Sequence, residues 1–312
     1  MVVMESTSVT VVKTDALTPI KAMVLNSVTS QHSKVAYHKA LTDFLTWYQT
    51  DASGNGFTKA TVQRWVVYLE STGLSASTIN LRLSAVRKLA LEAADNGLMA
   101  PAAAQGVARA KGPKQAGTRT GNWLTKNQAE ALIGAADVSK LKGQRDRAVL
   151  ALMIGCGLRR SEVSALAFEH IQQRDGRWAI VDLIGKGNRM RTVPMPGFAK
   201  VAIDQWASAA SIDTGRVFRS LDNKGQLAAS VLLPQNIMVL VGRYGAKIGV
   251  PTLAPHDLRR TFAKLAHKGS AALEQIQLSL GHASIQTTER YLGVRQDLSD
   301  APCDHLGLRL AV

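Results

Sequence analysis

Five short segments in the second half of the chain carry side chains suited to work on a phosphate ester. They read Gly157-Leu158-Arg159-Arg160-Ser161-Glu162, Gly185-Lys186-Gly187, His256-Asp257-Leu258-Arg259, Leu280-Gly281-His282 and Glu289-Arg290-Tyr291. Attack on a phosphodiester builds negative charge on the non-bridging oxygens. Arginine answers that charge with a planar, permanently protonated fork, so Arg159 and Arg259 are candidate clamps. Lys186, between two glycines, is a candidate general acid for a leaving oxygen. His256 and Arg259 stand three apart and share a face if the segment is helical. His282 follows a glycine and is a candidate donor to a phosphate oxygen. Tyr291 is the candidate nucleophile, and its ordinary pKa of about 10 means it needs a base or strong positive charge nearby. His256 is the candidate base. Each piece alone has an ordinary alternative: a surface arginine, a glycine turn, a core histidine, a packed tyrosine. The set together describes a phosphodiester-cleaving site that needs neither metal nor cofactor.

Those residues need elements to hold them. Tyr37, Leu41, Phe44, Leu45 and Tyr48 fall on one face of a helix that starts at Ser30. A glycine-containing turn from Asp51 to Gly56 leads to a second helix over Thr58 to Glu70. A third, Ser77 to Asp95, has a serine cap and stops before Gly97, with Ile79, Leu83, Val86 and Ala90 on its apolar face. Arg82, Arg87 and Lys88 lie elsewhere on that helix and are candidate contacts for a polyanion, or simply a solvated face. A short alanine-rich helix from Pro101 completes an all-helical bundle.

The basic stretch Lys111 to Asn122 lacks any period and reads as a linker. Beyond it come a capped helix from Thr125 and an apolar helix through Ala148 to Cys156. Trp178 to Ile184 and Arg191 to Val193 read as two strands around a tight turn at Gly185 to Asn188, with Arg189 and Arg191 as further candidate polyanion contacts. Helices are expected near 196–210, 233–248, 255–268, 271–281 and 284–292. The domain reading is therefore 1–25 as a loose lead-in, 26–110 as a helical domain, 111–122 as a linker and 123–312 as the site-bearing domain, with a tail from about 297. The fold class is mainly α with a small antiparallel β-sheet.

Bulk properties agree with a nucleic-acid partner. The 312 residues hold 38 Lys and Arg against 23 Asp and Glu, a net charge of +15, and the pI is near 10.1. Cys156 and Cys303 are too few for a disulfide framework and lack metal-ligand spacing, so a reducing cytoplasm is expected and Cys156 reads as a small buried residue. The longest apolar and glycine run, Ala148 to Leu158, is 11 residues, against the roughly 20 that a spanning helix needs. The N-terminal residues do not read as a signal peptide.

The order and spacing of the five segments resemble the tyrosine recombinase family, the phage-type integrases. That family shows Thr-Gly-Leu-Arg-x-Ser-Glu, a strand-turn lysine, His-x-x-Arg, Leu-Gly-His and a final tyrosine, here matched by Cys156 to Glu162, Lys186, His256 to Arg259, Leu280 to His282 and Tyr291. Arg145-Asp146-Arg147-Ala148 resembles the family's lead-in to the first arginine. Ser77 to Asn80 and Leu83 to Arg87 resemble its core-site DNA-binding domain. Cys156 departs from the usual threonine, a packing change that also sets an oxidisable thiol near the site.

The resemblance implies a site-specific DNA recombinase. Tyr291 attacks the scissile phosphate and leaves a 3′-phosphotyrosyl link and a free 5′-hydroxyl. Arg159, Arg259 and His282 stabilise the transition state, Lys186 is the acid, His256 assists as base, and Glu162 supports the helix of the first arginine. It further implies a C-shaped clamp on double-stranded DNA and a homotetramer on two recombination sites. The tail residues Leu306, Leu308 and Leu310 would pack on a neighbouring protomer or on their own domain. Accessory DNA-bending proteins and a mobile or circular DNA element are further expectations. A simple Xer-like layout is expected, without an arm-type domain. A type IB topoisomerase and a catalytically silent DNA-binding regulator are the competing readings.

Overall fold

The structure, a computed structural model, describes residues 14–52, 55–114, 122–185 and 189–292. The chain divides into two units, Met1–Thr118 and Arg119–Val312.

The first unit is helical: α1 Thr14–Asn26, α2 Gln31–Asp51, α3 Lys59–Ser71, α4 Ala76–Asp95 and α5 Pro101–Ala108. Side chains start three of them. Ser30, Thr58 and Ser75 each accept a hydrogen bond from a backbone N–H three residues on, as an N-cap should. Pro101 opens α5, where its missing N–H costs nothing. Leu41, Phe44 and Tyr48 of α2 are buried, as are Ile79, Leu83, Val86 and Ala90 of α4. Phe44 sits at the centre of an aromatic cluster, with its ring centroid 5.0 Å from that of Trp65 and 5.2 Å from that of Phe57. α1 corrects the expectation of a loose lead-in over its own residues. Leu17, Ile20 and Val24 repeat at helical spacing and are buried in this core, although Pro19 lies inside the helix.

The second unit is built around α7, Leu141–Gly155, whose residues Ala148 to Met153 are fully buried. The second half of α7, Ala148 to Ile154, is apolar all round and lies inside the unit, as such a helical stretch should. α6, Lys126–Gly134, precedes it behind a reciprocal cap between Thr125 and Gln128. Asp146, with no exposed surface, anchors α7 by accepting from Arg145 at 2.9 Å, Arg243 at 2.6 Å and the Tyr244 hydroxyl at 3.2 Å. The turn after α7 leads into α8, Arg160–Ala165.

An antiparallel sheet follows, in the order β1 Ile171–Arg174, β2 Arg177–Ile184, β3 Met190–Pro194. Ile180 pairs with Val193 and Ile184 with Met190, with a register shift between Ile180 and Leu183. That shift coincides with Asp182 at φ 52°, so the outer end of the hairpin is turned relative to its base. β1, and the later hairpin β4 Arg219–Leu221 with β5 Leu227–Val231, add to the two strands expected. The remaining elements are α9 Gly197–Ala209, α10 Pro234–Lys247, α11 Pro255–Lys268, α12 Leu273–Leu280 and α13 Ile285–Leu292. Among the described residues, no helix is long and apolar enough to cross a membrane.

Candidate active site

Four of the five segments converge on one face of the second unit. Lys186 and the tail beyond 292 lie outside the described residues, as does most of the expected linker.

Gly157 takes up φ 61°, and a Cβ there would come within 2.6 Å of Phe262 on α11. Only glycine satisfies both the left-handed backbone and that approach. The turn presents Arg159 as the N-cap of α8, where Glu162 accepts from its backbone N–H at 2.8 Å and from its Nη1 at 2.8 Å. The Arg159 side chain keeps 27% of its surface open. Arg259, on α11, is 1% exposed. Its Nη1 donates to the Gly157 carbonyl at 2.6 Å and its Nη2 to the Leu280 carbonyl, while its buried Nε has no hydrogen-bond partner among the described residues. Arg259 thus ties the Arg159 turn to the end of α12.

His256 lies in the first turn of α11, which starts at Pro255 behind a reciprocal bond from the Ala254 N–H to Asp257 at 3.0 Å. His282 follows Gly281, the left-handed cap of α12 at φ 62°. Its Nδ1 is 3.0 Å from the hydroxyl of buried Thr288, leaving Nε2 as the nitrogen not engaged by that contact. The Tyr291 ring meets both histidines edge-on, at 5.4 Å from His256 and 5.3 Å from His282. Its hydroxyl donates to the His256 main-chain carbonyl at 3.2 Å, and Arg260 lies over its ring at 5.1 Å.

Burial together with the two arginine charges sets the protonation states. His282 is pushed down to about 4, first by burial and then by Arg259 and Arg159, and His256 is lowered by burial, Arg259 and Arg260. Both rings are therefore neutral at neutral pH. Burial raises the Tyr291 phenol to about 12, the nearby Arg259 and Arg260 notwithstanding, so the hydroxyl is protonated and attack on phosphorus needs a base. Burial and Arg159 lower Arg259 to about 9, where it is still a cation. Burial also favours the neutral Glu162 carboxyl, but hydrogen bonds and charge from Arg191 and Arg159 outweigh it and hold the group below its ordinary value. The result is a cationic recess beside a phenol and two neutral imidazoles. It suits an anionic ester.

The candidate DNA contacts fall in different places. Arg189 is exposed and Lys88 half-buried. Arg82 is paired with Asp43 at 3.1 Å, and Arg87 donates to the Ala110 carbonyl, so both brace the helical unit. Arg191, a candidate polyanion contact by sequence, is turned inward, with its side chain 8% exposed and bonded to Glu162. The sequence reading missed this bracing role, and it missed Thr288 and Arg260 as neighbours of the site. For Arg260 the adjacent Arg259 was a signal; for the other two no local pattern exists.

Residues 122–297 match the phage integrase family, and residues 21–97 match the N-terminal SAM-like domain of phage integrases. The chain is 30% identical over 271 residues to tyrosine recombinase XerC of Pseudomonas fluorescens, covering 84% of this chain and 85% of that one. It is 34% identical over 191 residues to tyrosine recombinase XerD of Xanthomonas axonopodis pv. citri (strain 306), covering 58% and 62%. Among solved structures, XerH site-specific recombinase bound to palindromic difH substrate in a post-cleavage complex superposes with TM-score 0.71, 17% identity, and 90% and 93% coverage. The Tn1549 transposon integrase in complex with circular intermediate DNA gives TM-score 0.67, 15% identity, and 91% and 96% coverage. At those identities the superpositions speak to the fold. The family match and the Xer relatives define a site-specific recombinase of the tyrosine recombinase class. The chain belongs to the phage integrase family.

Proposed function

We propose that this recombinase cuts and rejoins duplex DNA through a covalent bond between Tyr291 and a 3′-phosphate. The observation that carries this reading is the gathering of Arg159, Arg259, His256 and His282 around one phenol. The Tyr291 oxygen leaves the His256 carbonyl and attacks phosphorus, and the bond from phosphorus to the 5′-oxygen breaks. The phenolic proton goes to neutral His256, and Lys186 protonates the departing 5′-oxygen. Arg159, Arg259 and His282 hold the non-bridging oxygens, where preorganised donors supply the largest catalytic contribution. Attack by the 5′-hydroxyl of a second duplex reverses the chemistry on a new partner and frees Tyr291. The phosphotyrosyl bond conserves the energy of the original diester, so no nucleotide hydrolysis is required.

Binding to double-stranded recombination sites rests on phosphate contacts and weakens steeply with salt. Arg189 and Lys88 are the better-placed candidates for those contacts. Arg82 and Arg87 would have to leave the partners described above. Exchange between two sites implies a homotetramer on DNA, with accessory DNA-bending proteins where the sites are complex. Integration, excision or resolution of a mobile or circular element in the bacterial cytoplasm is the setting that fits.

The test is covalent trapping on a nicked suicide duplex drawn from DNA flanking the gene. The parent should form an adduct that survives denaturant and carries a 3′ linkage, and Tyr291→Phe should form none while still binding. Tight binding by the parent without an adduct on that duplex would count against the cleavage reading.

A further inference from the structure

Arg191 is one residue past the start of β3, and the sequence offers it as a contact for DNA. Its side chain is turned into the protein instead. Nη1 and Nη2 donate to the two oxygens of Glu162 at 3.0 and 2.9 Å, and Nε donates to the Ser279 carbonyl at 2.9 Å. Glu162 in turn holds the backbone and guanidinium of Arg159, both at 2.8 Å. The side chains of Arg191 and Glu162 are 8% and 4% exposed, so water competes little for this pair.

Two glycines mark how tightly the side chain is enclosed. A Cβ on Gly281, next to His282, would sit 2.9 Å from Arg191 Cδ. One on Gly185, next to Lys186, would sit 2.8 Å from Arg191 Nη1 and 3.5 Å from Arg159 Nη1. Arg191 therefore touches the segment before His282, the residue before Lys186 and the carboxylate that aims Arg159. A bidentate guanidinium–carboxylate pair fixes orientation as well as distance, which a lysine in its place cannot do.

We propose that Arg191 is a positioning residue for strand cleavage: through Glu162 it aims the Arg159 guanidinium, and through Ser279 it holds the His282 segment at the matching distance. Arg191 acts inside the protein and does not bind DNA. This role rests on the phosphotyrosyl reading for its consequence, and on the Arg191–Glu162 contact for its cause.

Two measurements separate those. The first is a four-corner unfolding series without DNA: parent, Glu162→Gln, Arg191→Gln and the double variant. An internal tie predicts that the double variant loses less denaturant resistance than the two single losses added together. Losses that simply add would overturn the tie.

The second compares duplex affinity with the single-turnover rate of adduct formation on the nicked substrate. Arg191→Gln should lower the rate about 100-fold and leave affinity within about threefold, because removing an aiming group acts on the transition state and not on binding. Weakened binding with a parental cleavage rate in the bound complex would make Arg191 a DNA contact and overturn the proposal. Should Arg191→Gln fail to fold, Arg191→Lys keeps the charge and stem, and the same split of rate from affinity is expected. If the parent itself forms no adduct, the cleavage reading fails, while the unfolding series still decides whether Arg191 ties Glu162.

Discussion

The Nδ1 of His282 lies 3.0 Å from the Oγ1 of Thr288, three residues before Tyr291 on the same helix. This contact sets which imidazole nitrogen is left for the site, and it links the placement of the histidine to that of the nucleophile. Thr288 has no exposed surface, so its hydroxyl has little choice of partner.

Replacing Thr288 by valine keeps the shape and deletes the hydroxyl. The ring of His282 then loses its orienting partner, as happens when the group behind a functional histidine is removed. Single-turnover cleavage should fall about tenfold, equivalent to roughly 1.4 kcal/mol of transition-state stabilisation, with DNA affinity unchanged. A parental cleavage rate in Thr288→Val would show that the ring is oriented by something else.

Gly157→Ala tests the turn behind Arg159. The substitution forces a Cβ into the left-handed region at φ 61° and to within 2.6 Å of Phe262. Backbone strain and overpacking together should cost about 2–4 kcal/mol, read as a lower midpoint in urea unfolding. Gly249→Ala, also at positive φ but with open space around its Cβ, should lose less.

Acid should unfold the second unit through its histidines. His282 is lowered to about 4 from an ordinary 6.5, and His256 is lowered as well. Between those values the unfolded chain binds protons that the folded site refuses, so stability rises with pH there. The contribution is fully present above about pH 6.5 and lost as pH falls towards 4. Urea midpoints at several pH values should slope less in His282→Gln than in the parent. Equal slopes would assign the acid sensitivity to other groups.

Cys156 stands beside the first arginine turn, yet it is fully buried and its thiol is pushed up to about 12 by that burial. The thiolate is the reactive form, so the folded protein should resist thiol reagents at neutral pH. In a Cys303→Ser background, an aromatic disulfide reagent should label Cys156 only at the rate of unfolding. Fast labelling of the folded protein would restore the idea of an oxidisable thiol at the site.

The sequence alone settled those features whose causes are local. Serine and threonine caps, the apolar faces of α2 and α4, Pro101 and Pro255 at helix starts, and buried Cys156 all follow from neighbours within a few positions. The order of the arginine, histidine and tyrosine segments was legible for the same reason, since each segment is a short string of residues. α1 escaped because residues 1–25 carry no clear period over their whole length, and the helix is held, with Pro19 inside it, by packing of Leu17, Ile20 and Val24 in the bundle core. β1, β4 and β5 escaped because strands of three to five residues carry little periodicity of their own.

Tertiary structure decided where the charges point. Nothing near Arg191 in the chain announces Glu162, 29 residues earlier, or Ser279, 88 residues later. The same holds for Arg259, whose donors reach Gly157 and Leu280 across distances no local pattern spans. A guanidinium reads the same in sequence whether it faces solvent or a buried carboxylate. Its direction is a property of the packed unit, because the desolvation of a charge is offset only by partners that folding brings to it.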